Sequence, residues 1–320
     1  MASKVTVIGT GNFGSTVAFI LAMRGSCHEV VLRGRNIDIA RGKALDMSQA
    51  ANAAREHTIV RAANGPEDMA DSQVVVITAG APRTPGMSRD DLLTKNAAIV
   101  KSYALEIKKY APDAIVVVVS NPLDVMTYVV HKYTGFPRER ILGMAGILDA
   151  ARMAHFIYEK LGYGAGQIRA TVMGGHGDTM VPLPKFTTVA GVPISDVLTS
   201  EEIDEVVTKT RNGGAQIVNL LGDGSAYYAP AKSTSVMVEA ILKDTNQIHS
   251  CAVLLKGEYG YSDIVSGVPV MIGTKGADKI IEMTLNDLQK TRFKHSVASV
   301  QDMVDALCRT GFFDDCKEGE

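Results

Sequence analysis

The sequence predicts an α/β protein: a doubly wound parallel sheet followed by a mixed α+β unit. The first observation behind this is a set of short β-branched runs, Val5 to Ile8, Gln73 to Thr78 and Ala114 to Val119, of the kind that form parallel strands buried on both faces. The second is their alternation with helical apolar patterns, which implies right-handed βαβ crossovers. The third is a change of period beyond Pro182, where two long helices, two alternating strands and a final helix are expected over residues 201–221, 226–242, 250–255, 268–272 and 285–308. With 320 residues the chain is long for a single core, and the expected units are 1–145 and 146–320.

Bulk composition excludes several classes. The apolar share of 46% and charged share of 21% are those of a globular domain, and a net charge of -2 carries no footprint for nucleic acid or membrane. Glycines and polar residues interrupt Val5 to Leu21, so it does not read as a signal peptide, and no apolar stretch is long enough to span a bilayer. Cys27, Cys251, Cys308 and Cys316 have neither metal-site spacing nor disulfide density. No metal is expected, and reduced thiols point to the cytoplasm.

The first strand runs into Gly9-Thr10-Gly11-Asn12-Phe13-Gly14, a G-x-G-x-x-G opening a helix through Leu21. Gly9 allows the tight turn, Gly11 lets the backbone approach a pyrophosphate, and Gly14 lets the helix pack close to the strand. The helix N-terminus offers free N–H groups to the phosphates. A second strand, Glu29 to Leu32, ends where such folds place an acid on the adenosine ribose 2′-OH. Here that position is Gly34, between Arg33 and Arg35. A glycine makes room for a 2′-phosphate and two guanidiniums suit it, so NADP is the expected cofactor. NAD is the alternative, with Asp38 supplying the acid.

A helix is expected over 39–53, a strand over 58–60, and after Thr78 a loop rich in Pro, Gly and Arg (Ala79 to Asp91) over the carboxyl edge of the sheet. Ser88 or Asp90 would cap the helix from about Asp91 to Tyr110. The strand ending at Val119 leads to Ser120-Asn121-Pro122. An Asn there can orient a carboxamide or a substrate oxygen, or simply cap a helix that has Pro122 as its first residue. The spacing of Tyr128 and Lys132 matches a reductase pair, but with ten tyrosines in the chain one chance match is expected. Asp149 and Arg152 share a helix face. Among the seven histidines only His176 sits between glycines, which permit close approach of backbone and substrate.

Together, the glycine loop, Gly80-Ala-Pro-Arg-Thr-Pro-Gly-Met-Ser-Arg89, Val119-Ser-Asn-Pro122, Asp149-Ala-Ala-Arg152 and Gly175-His-Gly-Asp178 resemble the lactate/malate dehydrogenase family over nearly the whole chain. The resemblance implies a Rossmann domain and a substrate domain, a small dicarboxylate substrate, and a homodimer or homotetramer. The helices over 39–53 and 201–221 are plausible contact faces. Arg83 stands where lactate enzymes carry a neutral residue, which points to the malate-using branch. Hydride would then pass between nicotinamide C4 and C2 of malate or oxaloacetate. His176 would be the acid/base and Asp149 would hold its imidazole. Arg152 and Arg83 would bind the two carboxylates, and Arg89 would polarise the carbonyl. Asn121 would touch substrate and nicotinamide. The cofactor would also meet Gly9, Thr10, Gly11, Asn12, Phe13, Gly14, Arg33, Gly34, Arg35, Asn96, Val119 and Ser120. Gly34 departs from the family, where Asp is usual. A lactate-type 2-hydroxy acid dehydrogenase and a non-catalytic dinucleotide sensor are the competing readings.

Overall fold

The computed structural model describes residues 3–81, 89–222 and 224–314. Strands β1 (Lys4–Ile8), β2 (Glu29–Arg33), β3 (Ile59–Ala62), β4 (Val74–Ile77), β5 (Ile115–Val118) and β6 (Ile141–Gly143) alternate with helices α1 (Asn12–Met23), α2 (Ile37–Ala53), α3 (Arg89–Tyr110) and α4 (Leu123–Thr134). The six strands are parallel, in the spatial order β6-β5-β4-β1-β2-β3. The order reverses at β1 and β4, and the crevice outside their carboxyl ends is where such sheets bind ligands. Every residue of β4 and β5 is buried, as their unbroken Val/Ile runs require of central strands.

Helix boundaries follow local chemistry. Asn36 caps α2 by accepting from the N–H groups of Asp38 and Ile39, so this helix starts two residues before the expected Ile39. Pro122 precedes α4 with an extended backbone instead of forming its first turn. α3 begins at Arg89, which makes Asp90 a first-turn acid and not its cap; Ser88 lies outside the described residues.

After β6 come α5 (Gly146–Leu161), five two-residue strands, β7 (Ile168–Arg169), β8 (Val172–Met173), β9 (Val181–Pro182), β10 (Thr188–Val189) and β11 (Val192–Pro193), and the long helices α6 (Ser200–Leu221) and α7 (Tyr228–Leu242). The antiparallel strands β12 (Gln247–Lys256), β13 (Ser262–Gly273) and β14 (Gly276–Ile280) follow, then α8 (Asp287–Arg309). These three strands extend the first sheet: β12 pairs with β6 at Ala252 and Gly143, giving nine strands in all. The two expected units therefore share one sheet, because the outer edge of β6 is covered by the later hairpin instead of being left open. One core runs through both, joining Val117, Leu142, Val253 and Val268. A smaller cluster under α5 and α6 includes Met153, Ile157, Met180 and Val206. No helix among the described residues is long and apolar enough to cross a membrane.

Candidate active site

The nucleotide end is built from the turn after β1. Gly9 has φ +107°, a conformation that favours glycine, and a β-carbon there would lie 2.5 Å from Thr78 Oγ1. A β-carbon on Gly14 would run into the Gly9 carbonyl, so the close fit of α1 onto the strand depends on its absence. Gly11 is different. Nothing lies within 4 Å of a β-carbon built there, and as N-cap of α1 it gives no side-chain cap. The first turn of α1 thus opens onto free space with bare N–H groups, which suits the pyrophosphate of a dinucleotide.

Around this turn the expected contacts differ in what they can offer. Asn12 is exposed and Phe13 packs partly against the core. Val119 and Ser120 are buried, and the Ser120 hydroxyl is already engaged, donating to the Ala79 carbonyl. Asn96 is 2% exposed. Its Oδ1 accepts from Ala81 N at 2.7 Å and its Nδ2 donates to Asn121 O at 2.8 Å, which ties the chain after β4 to the end of β5. Asn121 itself has an exposed side chain. Arg33 is engaged by Glu106 of α3 at 3.3 Å, whereas Arg35 is exposed. Asp38 lies in the first turn of α2, 3.7 Å from Arg41.

The second cluster lies beside the carboxyl end of β5. Asp149, in the first turn of α5, is 1% exposed. Its Oδ2 meets His176 Nδ1 at 2.9 Å and its Oδ1 accepts from Arg152 at 3.1 Å. A carboxylate on Nδ1 fixes that nitrogen as the donor and leaves Nε2 to exchange a proton. Burial works against the imidazolium, but Asp149 and then Asp124 outweigh it, and His176 is held above the ordinary imidazole value. Arg152 Nε is buried with no partner among the described residues, and α6 passes over the guanidinium at Gly214.

Asp124, Ser296 and Lys43 were not apparent from the sequence. Asp124 Oδ2 accepts from the His176 backbone N–H at 2.8 Å, and Ser296 Oγ of α8 accepts from Gly175 N at 2.8 Å. Burial pushes the Asp124 carboxyl up to about 6. Lys43 of α2 donates to the Thr10 carbonyl at 2.7 Å. Each lies dozens of residues from its partner, so spacing gives no signal; an acid in the first turn of α4 was the one local hint. The two glycines beside His176 differ: nothing lies within 4 Å of a β-carbon built on Gly177, whereas Gly175 is closely packed. A β-carbon on Gly175 would lie 2.9 Å from Val300 Cγ2, so this glycine serves packing against α8. The Tyr128 and Lys132 side chains both bond Asp263, apart from this cluster. Arg83 and the Arg89 side chain lie outside the described residues.

Residues 3–143 match the profile of the lactate/malate dehydrogenase NAD-binding domain, and residues 147–308 match the α/β C-terminal domain of the same family. The chain belongs to the lactate/malate dehydrogenase family. Among curated lactate/malate dehydrogenase relatives, the malate dehydrogenase of Sulfurimonas denitrificans is 62% identical, with 97% of this chain and 98% of that protein covered. That of Nitratiruptor is 58% identical over 98% of each chain. Among solved structures of the family, the malate dehydrogenase of Cryptosporidium parvum superposes with a TM-score of 0.93 at 38% identity, covering 97% of this chain and all of that one. The lactate dehydrogenase of the same organism, solved with lactic acid and nicotinamide adenine dinucleotide, gives 0.92 at 37% identity, with 96% and 98% covered.

Proposed function

We propose that the chain is a malate dehydrogenase that moves a hydride between C2 of malate or oxaloacetate and a nicotinamide cofactor. The observation that carries this reading is the buried Asp149–His176 pair, 2.9 Å apart, with Arg152 one helical turn beyond Asp149. When bound, the cofactor supplies the hydride donor or acceptor. His176 Nε2 gives a proton to the ketone oxygen in reduction and takes it back in oxidation. Asp149 keeps the ring oriented and stabilises its charged form. Arg152 holds the C1 carboxylate with its guanidinium fork. A second carboxylate needs a second cation on desolvation, and Arg83 takes that part, with Arg89 polarising the carbonyl. Asn121, exposed at the end of β5, orients substrate or nicotinamide. The names of the relatives support malate over lactate.

For the cofactor, NADP is favoured over NAD because Gly34 presents no acid and Arg35 is exposed beside it. Glu106 on Arg33 weighs the other way and keeps NAD as the alternative. Ile39 and Leu45 on α2, and Leu220 and Leu221 on α6, leave apolar side chains exposed, which supports a homodimer or homotetramer that light scattering measures. Cys27 and Cys251, buried as free thiols, fit the cytoplasm.

The deciding experiment compares kcat/KM for oxaloacetate and pyruvate with NADH and with NADPH. Preference for oxaloacetate by orders of magnitude is expected, with NADPH the better donor. Preference for pyruvate overturns the malate reading and returns a lactate-type enzyme. NADH as the better donor overturns the cofactor reading alone, and no turnover with either acid favours the sensor.

A further inference from the structure

Two arginines flank Gly34, and their surroundings differ. Arg33 leans on α3: its Nη2 lies 3.3 Å from one Glu106 carboxylate oxygen and 3.4 Å from the other, and its Nη1 donates to the Gly34 carbonyl at 3.4 Å. Arg33 Nε is buried, and Glu106 and that carbonyl are all that engage the guanidinium among the described residues. Arg35 is exposed and forms no ion pair among the described residues. Tyr103 and Glu106 are three apart on α3 and so share a face. Burial pushes the Tyr103 phenol up, while Arg33 pulls it down, Glu106 raises it and Arg35 pulls it down. All three charges therefore act on one region beside the end of β2. The side chains of the Arg33–Glu106 pair are only 19% and 28% exposed, so salt and water screen it incompletely.

We propose that Glu106 is a specificity-determining residue for the nucleotide: it holds Arg33 and cancels its charge, so that Arg35 alone faces a 2′-phosphate. This deepens the cofactor reading above and rests on it for placing the adenosine ribose beside the end of β2. A 2′-phosphate carries about −1.5 to −2 charges at pH 7, whereas the 2′-OH of NADH is neutral. A carboxylate in this region therefore opposes NADPH by Coulomb repulsion and leaves NADH nearly untouched. Cofactor choice is then set by an acid on α3 as well as by the residues that follow β2.

The test measures Kd for NADPH and NADH by nucleotide fluorescence on the parent, Glu106→Gln, Glu106→Asp and Arg35→Gln, at low and high salt. Glu106→Gln keeps the shape and removes the charge. It is expected to bind NADPH about three- to tenfold more tightly, with NADH within about twofold of the parent. Glu106→Asp keeps the charge and is expected to stay within about twofold of the parent for both nucleotides. The NADPH gain is expected to shrink at high salt. An unchanged NADPH Kd in Glu106→Gln, or equal shifts for both nucleotides, overturns the proposal. A gain that salt leaves undiminished, or that Glu106→Asp reproduces, overturns it too. Arg35→Gln reports on the underlying reading: weaker NADPH binding supports the 2′ position lying here, and unchanged binding removes the site and the proposal together. A parent that prefers NADH overturns the NADP preference alone, and the NADPH shift in Glu106→Gln still decides the proposal.

Discussion

The glycine turn after β1 and the His176 site lie at the same edge of one sheet but are made in opposite ways. The turn is nearly self-contained: Gly9, Gly11 and Gly14 set its shape within one strand-to-helix connection, with Thr78 and Lys43 as outside support. The His176 site is assembled at a distance. α5 brings Asp149 and Arg152, α4 brings Asp124, and α8 brings Ser296. A local device binds what all members of a large fold class bind. The chemistry that distinguishes one reaction from another needs several elements fixed against each other.

If the distant assembly carries the reaction, its variants lose turnover without losing the nucleotide. The largest effect expected is for His176→Asn: a fall in kcat of about 10²–10⁴-fold with cofactor Kd unchanged, read by steady-state kinetics and fluorescence titration. Asp124→Ala comes next. It leaves the part-buried His176 N–H without its acceptor, and a stability loss of about 1–3 kcal/mol in urea unfolding is expected, together with reduced kcat. Unaltered stability would mean that the loop is held by Ser296 alone.

The local device is expected to fail in the converse manner, and by less. Gly11→Ala places its β-carbon in open space, so melting temperature stays within about 2 °C of the parent. The cofactor Kd rises by about tenfold, because the methyl group stands where the pyrophosphate approaches the backbone. Gly14→Ala is expected to destabilise the fold itself, since its β-carbon meets the Gly9 carbonyl. Equal effects of the two substitutions on stability would erase the distinction between a glycine kept for ligand and one kept for packing.

The same contrast explains what the sequence made legible. Val5–Gly14 could be read because strand, turn and helix N-terminus are consecutive, and each glycine has its own geometric reason. Asp149 and Arg152 could be paired because α-helical spacing puts them on one face. That Asp149 and His176 meet was implied by resemblance only, since no periodicity links positions on α5 and on the turn after β8. Ser296 left no signal, and Asp124 only that of a first-turn acid, because a polar residue contributing to a distant backbone group looks like any other. The continuation of the sheet from β6 into β12 also escaped, since alternation identifies a strand but not its neighbour. Thr10 was expected only as a cofactor contact; its contact with Gly34 appears only once β1 and β2 are paired.

The most direct measurement is the pH dependence of kcat/KM for oxaloacetate reduction in the parent and in Asp149→Asn. Reduction needs the imidazolium, so activity is full at low pH and falls as pH rises through the His176 pKa, which Asp149 and Asp124 hold above 6.5. Malate oxidation needs the neutral ring and runs the other way. Replacing the carboxylate at 149 removes the partner that most raises the imidazole, so the account predicts that both limbs move to lower pH as kcat falls. Limbs that stay in place in Asp149→Asn would contradict it, because the proton would then belong to a group other than His176.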